Sequence, residues 1–270
     1  MERIHWEDLP RETREAVAQH TGAVWSATTV SEGLNSAVAA ILATEARPVF
    51  VKGLHRDHPR RWNQDMEAMI NPYVAHLSSR LLWRVHGEWD LLGFELVDGR
   101  HADYRLGSAD LPKIAETMTV LGTIQCPGLP VKLAEHRWRT YVDTPEELEW
   151  LKGERLLHTD YNPLNVLIAD GRALLVDWAW PTRGAGWIDP ACLILRLMAN
   201  GHGAESAEQV VAHVPAWQAA PVEGVSVFAR ACSRMWEEIA ADDPVDWSLA
   251  MKEAAKSWAM RWTSFRRTHP

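Results

Sequence analysis

The chain of 270 residues is long enough for one large domain or two lobes. Its 47% hydrophobic and 24% charged residues are typical of a globular protein and exclude a collagen-like, coiled-coil or disordered chain. The net charge of −8 argues against a general nucleic-acid-binding protein. No apolar run reaches the roughly 18 residues that a membrane span needs.

The N-terminal sequence and the cysteines bear on the cellular compartment. Acidic residues stand near the N-terminus, where a signal peptide needs an apolar run. The three cysteines, Cys126, Cys192 and Cys232, are widely spaced, which favours neither a disulfide framework nor a zinc cluster. We therefore expect a cytoplasmic protein with no nucleic-acid partner and no membrane partner.

The first part of the chain predicts an antiparallel sheet with two helices. A helix-permissive stretch at 11–20 precedes three short strands, which we expect within 24–30, 37–44 and 49–52. A second helix is expected over 57–75, ended or kinked at Asn71-Pro72. Strands at 81–86 and 91–97 would complete a five-stranded sheet.

The rest of the chain is predicted to be mainly helical around one hairpin. Helices are expected over 111–121, 145–151, 189–200 and much of 204–270, with breaks at Pro215, Pro221 and Pro244. The hairpin would join strands at 164–168 and 173–177 through Asp170-Gly171. The fold class expected is therefore α+β, with a five-stranded antiparallel N-lobe at 1–97 and a mainly helical C-lobe at 98–270.

A pattern of polar residues around this hairpin indicates the type of reaction. Asp160 precedes Asn165 by five positions, and Asp177 ends the second predicted strand of the hairpin. Phosphoryl transfer needs one carboxylate at the acceptor hydroxyl and oxygen ligands that hold magnesium on the phosphates. Magnesium prefers hard oxygen ligands, which an Asp and an Asn amide supply. A loop followed by a hairpin can bring these three side chains to one end of the same structure.

This pattern resembles the catalytic core of the aminoglycoside phosphotransferase and choline kinase group, which shares the bilobal fold of protein kinases. The resemblance implies that Asp160 is the catalytic base and that Asn165 and Asp177 bind Mg²⁺. It also implies that His158 and Asp189 support the catalytic loop. Asp189 also stands before Pro190, where it would be the N-cap of the next helix.

The same segment departs from protein kinases. Thr159 stands where protein kinases have a basic residue before the catalytic Asp. Asp177-Trp178 replaces Asp-Phe-Gly, and no Ala-Pro-Glu segment follows. A literal His55-Arg56-Asp57 occurs earlier, but Trp62 stands where its Asn would be, so we interpret it as a charged loop. These departures favour a small-molecule substrate.

The resemblance extends to a nucleotide-binding set in the N-lobe. Lys52 would bind the donor phosphates, and Glu67 on the following helix would be its ion-pair partner, with Asp65 as the less suitably placed competitor. The loop from 31 to 36 has one glycine instead of the three of G-x-G-x-x-G. Its phosphate-binding residues would be Ser31, Gly33, Asn35 and Ser36. Residues 95–98 would form the hinge against the base, through Glu95 and Val97.

The function implied is Mg²⁺-dependent transfer of a phosphoryl group from ATP or GTP to a hydroxyl of an aminoglycoside-type substrate. A cationic aminoglycoside would need carboxylates, and the C-terminal part offers Glu205, Glu208, Glu223, Glu237, Glu238, Asp242, Asp243 and Asp246, which are also explained as a solvated surface. Choline would need an aromatic cage, to which Trp178, Trp180 and Trp187 would contribute, although a role in the core or in packing between the lobes explains them equally well. A housekeeping kinase of choline, ethanolamine, sugars or hydroxy amino acids stays open as an alternative. So does a nucleotide-binding pseudoenzyme. The oligomeric state does not follow from the sequence.

Overall fold

The computed structural model describes residues 3–31, 33 and 35–268, with side chains to Ser264. The chain divides into two compact units. The first comprises Met1–Arg100 and Leu174–Ala179, and the second comprises His101–Ala173 and Trp180–Pro270. The division expected from the sequence was 1–97 and 98–270. It differs from the observed division mainly at Leu174–Ala179, which belongs to the first unit although it is distant from the rest of that unit in the sequence.

The first unit is built on the expected five-stranded antiparallel sheet, with strand order β1-β2-β3-β5-β4. Its strands are β1 Val24–Thr29, β2 Val38–Thr44, β3 Val49–His55, β4 Leu81–Val85 and β5 Trp89–Glu95. The central strand β3 is buried at nearly every position, which matches its apolar sequence. Lys52 of β3 pairs with Ala39 of β2 and with Leu92 of β5, so the lysine stands in the middle of the sheet.

Helices accompany this sheet. They are α1 Arg11–Thr21, preceded by the 3-10 turn Trp6–Asp8, and α2 Trp62–Val74. Of the two outcomes expected at Asn71-Pro72, an end or a kink, the end does not occur, because α2 continues through Pro72 to Val74. Pro72 has no N–H to donate to the carbonyl four residues earlier, so α2 lacks one hydrogen bond at this position. The amide of Asn71 ties α2 to the chain before and within β4, donating to the Ser79 carbonyl at 2.8 Å and accepting from the Leu81 amide at 2.8 Å.

The second unit is mainly helical. Its helices are α3 Leu111–Leu121, α4 Ala134–Arg137, α5 Ile188–Ala199, α6 Ala204–Val211, α7 Pro215–Gln218, α8 Val222–Asp242 and α9 Asp246–Thr268. Residues 145–151, expected as an α-helix, form a 3-10 helix instead. The C-terminal prolines interrupt the helices as expected, since Pro215 begins α7, Pro221 caps α8 and Pro244 lies between α8 and α9. No helix of the described residues is long and apolar enough to cross a membrane.

Short strands carry the loops of the second unit. The strands β7 Lys132–Leu133, β11 Thr182–Gly184 and β8 Arg155–Leu157 form a small sheet in that order, which the sequence did not predict. The remaining strands are β6 Arg100–His101, β9 Val166–Ala169 and β10 Arg172–Leu175. Asp170 (φ 50°) and Gly171 (φ 76°) join β9 to β10, and both have the positive φ that a type I′ turn requires.

Candidate active site

Lys52 is the centre of the polar cluster in the first unit. The lysine is 7% exposed, and its Nζ lies 2.6 Å from Glu67 Oε2 and 2.8 Å from Asp177 Oδ1. The pairing of Lys52 with Glu67 that the sequence predicts is therefore present. Asp65, the competitor, is bound instead to Arg84 at 2.6 Å and to Arg61 at 3.1 Å.

Asp177 reaches this cluster from a strained backbone. It does not end a strand as expected, because β10 ends at Leu175 and Asp177 follows with φ 61°. A positive φ in a residue other than glycine is uncommon and persists where the surroundings enforce it. The Asn35 amide donates to Asp177 Oδ2 at 3.3 Å, so Asp177 is held by both Asn35 and Lys52.

Burial and charge act in opposite directions on the titrating groups of this cluster. Burial opposes the charge of Lys52, but the carboxylates of Asp177 and Glu67 outweigh it and raise the pKa of the lysine. Burial raises the pKa of Glu67 to about 7, although the charge of Lys52 opposes that rise. The cluster therefore keeps Lys52 as a cation.

The rest of the expected phosphate-binding loop lies apart from this contact. Gly33 has φ 86°, and its carbonyl accepts a hydrogen bond from Arg3 at 2.8 Å. The Ser36 carbonyl also accepts from Arg3, and the Ser31 side chain is exposed. Of the loop residues selected from the sequence, only Asn35 is brought to Lys52 and Asp177.

The two expected hinge residues lie at the end of the sheet. Glu95 ends β5 opposite Val49, and its carboxylate is 3.8 Å from Arg47 and 3.7 Å from Arg80. Val97 is half-buried in the segment between β5 and β6. Their role against a nucleotide base stays a prediction.

Asp160 is the centre of the polar cluster in the second unit. Its Oδ1 accepts a hydrogen bond from Arg196 Nη2 at 2.9 Å and one from the Asn162 amide at 3.3 Å. Its Oδ2 accepts from Asn165 Nδ2 at 3.0 Å. Both carboxylate oxygens are therefore fixed in position, and Asp160 and Asn165 lie together as the motif predicts.

Asp189 supports the loop that carries Asp160. It is buried, and its two oxygens accept hydrogen bonds from the backbone amides of His158 at 2.9 Å and Thr159 at 2.8 Å. The N-cap interpretation was wrong, because α5 begins at Ile188 after Trp187. Burial raises the pKa of Asp189, although the two amide bonds oppose the rise. The carboxylate stabilises a strained loop, since Thr159 has φ 66°.

His158 belongs to the same support. Its ring is buried, and its Nδ1 accepts a hydrogen bond from the Asp160 amide at 3.3 Å. The ring also packs on Tyr161, with centroids 5.7 Å apart. The histidine therefore contacts the backbone of Asp160.

Sequence reasoning missed two arginines of this cluster. Arg196 of α5 binds Asp160, and Arg137 at the end of α4 donates to the Thr159 hydroxyl at 2.6 Å. A signal for Arg196 existed, because it stands two helical turns after Asp189 in an otherwise apolar segment. No comparable signal marks Arg137, which reaches Thr159 only through the fold.

Other sequence candidates lie elsewhere. Asp57 of the His-Arg-Asp decoy is exposed in a turn after β3. Trp178 and Trp187 are 2% and 5% exposed, which agrees with the alternative that they are core residues. The Trp180 ring already carries Lys132, whose Nζ lies 4.0 Å from the ring centroid. Of the C-terminal acids, Glu208 is bound within the unit to Arg261, Trp258 and Trp262.

The donor set fits magnesium better than a softer metal. The Asp177 carboxylate and the Asn165 amide oxygen are hard ligands, and that amide oxygen has no hydrogen bond to a described residue. Among the described residues there is no group of three or more His, Cys, Asp and Glu side chains that could hold a metal ion. Taken singly, each of these two oxygen donors suits a hard ion such as Mg²⁺.

Comparison with solved structures finds the same fold at low sequence identity. Choline kinase LicA from Streptococcus pneumoniae has a TM-score of 0.66 at 15% identity, over 92% of this chain and 97% of that chain. A putative aminoglycoside phosphotransferase from Ralstonia eutropha has a TM-score of 0.60 at 15% identity, over 96% and 98%. A thermostable mutant of aminoglycoside phosphotransferase APH(4)-Ia, in complex with AMP-PNP and hygromycin B, has a TM-score of 0.60 at 13% identity, over 93% and 98%. No protein-family model and no curated protein matches the sequence.

The chain has the fold of these phosphotransferases and kinases. This finding confirms the α+β fold class and the resemblance to the aminoglycoside phosphotransferase and choline kinase group. At these identities the likeness concerns the fold, so the roles of individual residues rest on the geometry of the two clusters.

Proposed function

We propose that this protein is a kinase that transfers a phosphoryl group from ATP or GTP to a hydroxyl of a small molecule. The observation that carries the proposal is the position of Lys52 between Glu67 and Asp177. A sheet gains little from a buried lysine with two carboxylates, since their desolvation offsets much of the attraction. The arrangement is explained by a lysine that must point at the phosphates of a nucleotide.

Each residue of the two clusters has its own role in the proposed reaction. Lys52 binds the donor phosphates, Glu67 orients it, and Asn35 contacts the nucleotide from the loop. Asp177 and Asn165 are the residues that would hold Mg²⁺, which neutralises phosphate charge when it is bound. Asp160 accepts the proton of the acceptor hydroxyl, and its contacts with Arg196 and Asn165 keep it aimed before the acceptor arrives.

The chemical class of the alcohol that accepts the phosphoryl group is a separate part of the proposal. An aminoglycoside-type acceptor is what the sequence resemblance implies, and one neighbour in the comparison was solved with hygromycin B. A second candidate, an alcohol that carries an anionic group, is favoured by Arg137, which donates to the hydroxyl of Thr159 next to Asp160. A nucleotide-binding pseudoenzyme is disfavoured, because a scaffold needs none of Asp160, Asn165 and Asp177.

One experiment tests the proposed function. The purified protein is incubated with Mg-ATP or Mg-GTP and a panel of aminoglycosides, sugars, amino alcohols and hydroxy acids, and phosphorylated products are sought by mass spectrometry. We expect at least one alcohol to gain a phosphoryl group in stoichiometric exchange for nucleoside diphosphate. Tight nucleotide binding without any phosphorylated product would support the pseudoenzyme instead.

A further inference from the structure

A network of arginine and aspartate side chains fixes the beginning of α2. Asp90 of β5 is buried and accepts hydrogen bonds from Arg84 Nε at 2.8 Å and from Arg61 Nη1 at 2.9 Å. Arg84 of β4 also reaches Asp65 in the first turn of α2, with Nη2 2.6 Å from Oδ1. The side-chain amide of Gln64 donates to the Asp90 carbonyl at 3.0 Å. The beginning of α2 is therefore bound to the antiparallel pair of β4 and β5.

A second set of contacts fixes α2 near its other end. The side-chain amide of Asn71 donates to the Ser79 carbonyl at 2.8 Å and accepts from the Leu81 amide at 2.8 Å. Glu67 lies between these two attachments and places its Oε2 2.6 Å from Lys52 Nζ. The contact of Glu67 with Lys52 is therefore flanked by one attachment on each side along the helix.

The chemistry of the first attachment favours a role in position over a role in stability. The Arg84 side chain is 16% exposed and Asp90 is 2% exposed, so both charges lose much of their hydration. Desolvation offsets much of the attraction between buried charges, and apolar residues of similar volume often give equal stability. A planar guanidinium that must meet two carboxylates at once, in contrast, accepts few geometries. The network thus specifies one placement of α2 against the sheet.

We propose that Arg84 and Asp90 are positioning residues of the nucleotide site, because they hold α2 where Glu67 meets Lys52. The inference rests on the proposed kinase function, in which Lys52 binds the donor phosphates. It adds that the two residues act on the nucleotide through Glu67 and not by contact with it. A helix that is attached on both sides of Glu67 keeps the lysine aimed before the nucleotide arrives.

The test is a double-mutant cycle between Arg84 and Glu67. Arg84→Met should lower kcat/KM for nucleotide about tenfold, and no more than Glu67→Gln does, because a small misplacement of a binding group costs up to about a hundredfold. In the Glu67→Gln background, Arg84→Met should cause no further loss, because the carboxylate that it positions is gone. Arg84→Lys should recover part of the loss, since it keeps the charge but lacks the fork. A full loss in both backgrounds would overturn the proposal.

A matched control separates position from stability. Val17 of α1 is fully buried in a core cluster that contains no residue of α2. Val17→Ala should lower the melting temperature and leave the nucleotide Kd close to that of the wild type. Arg84→Met should weaken nucleotide binding at a temperature at which both variants are folded. If Arg84→Met lowers only the melting temperature, as Val17→Ala does, the network is structural and the positioning role is wrong.

Two measurements keep this test separate from the test of the kinase function. If no acceptor is phosphorylated, calorimetric titration of Mg-ATP and Mg-GTP gives the effect of Arg84→Met on nucleotide affinity directly. If neither nucleotide binds the wild type, the proposed function fails, and the network is tested by the acetylation rate of Lys52, followed by peptide mass spectrometry. Lys52 should then react faster in Arg84→Met than in Val17→Ala, because it loses Glu67 as a partner. Equal rates in the two variants would refute the positioning role.

Discussion

Lys52 lies between two carboxylates, with Nζ 2.6 Å from Glu67 and 2.8 Å from Asp177, and Asp177 is 125 residues further along the chain. This buried cluster thus contains one positive charge, that of Lys52, and two carboxylates. For the proposed function, we expect this excess of negative charge to favour a nucleotide bound to a divalent cation over a nucleotide without one.

Replacement of Lys52 should affect turnover more than stability. Lys52→Met is expected to lower kcat/KM about a hundredfold or more, because it removes a charge from the donor phosphates. Glu67→Gln should have a smaller effect in the same direction. Steady-state kinetics and thermal melts on the same samples measure both quantities.

The double variant tests whether Lys52 and Glu67 act as one unit. Lys52→Met with Glu67→Gln should be no slower than Lys52→Met alone, because one role is lost only once. It should also melt above Lys52→Met, since no unpaired carboxylate of Glu67 then stays buried. Additive losses in the logarithm of kcat/KM would show that the two residues act separately.

Asp177→Ala should remove the magnesium dependence of nucleotide binding. The carboxylate is the charged oxygen ligand proposed for Mg²⁺, and Lys52 stays in place to bind phosphate. Calorimetric titration of ATP with and without Mg²⁺ should show an enhancement by Mg²⁺ in the wild type and none in the variant. An unchanged enhancement would place the metal elsewhere, and Asp57→Ala, at an exposed turn, is the control.

Arg196 is predicted to be a positioning residue for Asp160. Arg196→Met should lower kcat about tenfold to hundredfold with the nucleotide Kd unchanged within a few-fold, because Asp160 Oδ1 loses its charged partner and keeps only the backbone amide of Asn162. Arg196→Lys should recover part of the loss. Arg230→Met, which breaks ion pairs with Asp143 and Glu147 in the same unit, is the control and should leave kcat near wild type.

The pH dependence of stability should reveal a second buried network in the first unit. Asp90 is 2% exposed and accepts hydrogen bonds from Arg84 Nε at 2.8 Å and Arg61 Nη1 at 2.9 Å. Burial alone would raise the pKa of Asp90, but the hydrogen bonds from Arg84 and Arg61 and the charge of Arg84 outweigh it, so the pKa lies below its ordinary value. Breaking such a pair costs about 3 kcal/mol.

The sign of this dependence follows from the lowered pKa. Asp90 contributes its full stability above the unfolded pKa of about 3.8, and the contribution is lost as the pH falls through the lower folded pKa. Urea unfolding should therefore show that the free energy of unfolding of the wild type exceeds that of Asp90→Asn by a constant amount from about pH 5 to 8. This difference in free energy should become smaller below about pH 4. Asp103→Asn, which removes a surface pair with Arg105, should give almost no difference. A difference in the free energy of unfolding that becomes larger in acid would refute the lowered pKa of Asp90.

The sequence predicted those parts of the molecule that depend on local pattern. The strands around Lys52 and the pairing of Asp160 with Asn165 follow from apolar runs and from a motif with fixed spacing. The Lys52–Glu67 pair also follows, because the strand and the helix are neighbours in the chain. The sequence left an end or a kink open at Asn71-Pro72, and α2 does not end there, because a proline alone does not decide where a helix stops once the surrounding residues pack.

Contacts between segments that are distant in the chain could not be predicted from the sequence. Arg196 and Arg137 support the loop of Asp160 from helices far apart in the chain, and single arginines in a helix carry no sign of their partners. The role of Asp189 was foreseen as support, but its partners were not. Its carboxylate binds two amides of a loop that precedes it, instead of capping its own helix.

The central claim is that Asp160 accepts the proton of a small-molecule hydroxyl during phosphoryl transfer. The direct measurement is the rate of acceptor phosphorylation by wild type and Asp160→Asn at saturating Mg-nucleotide, with nucleotide affinity measured on the same samples. The account predicts a loss of about 10²- to 10⁴-fold in the rate, with affinity within a few-fold of wild type. Retention of more than about a tenth of the wild-type rate, far above that range, would contradict it.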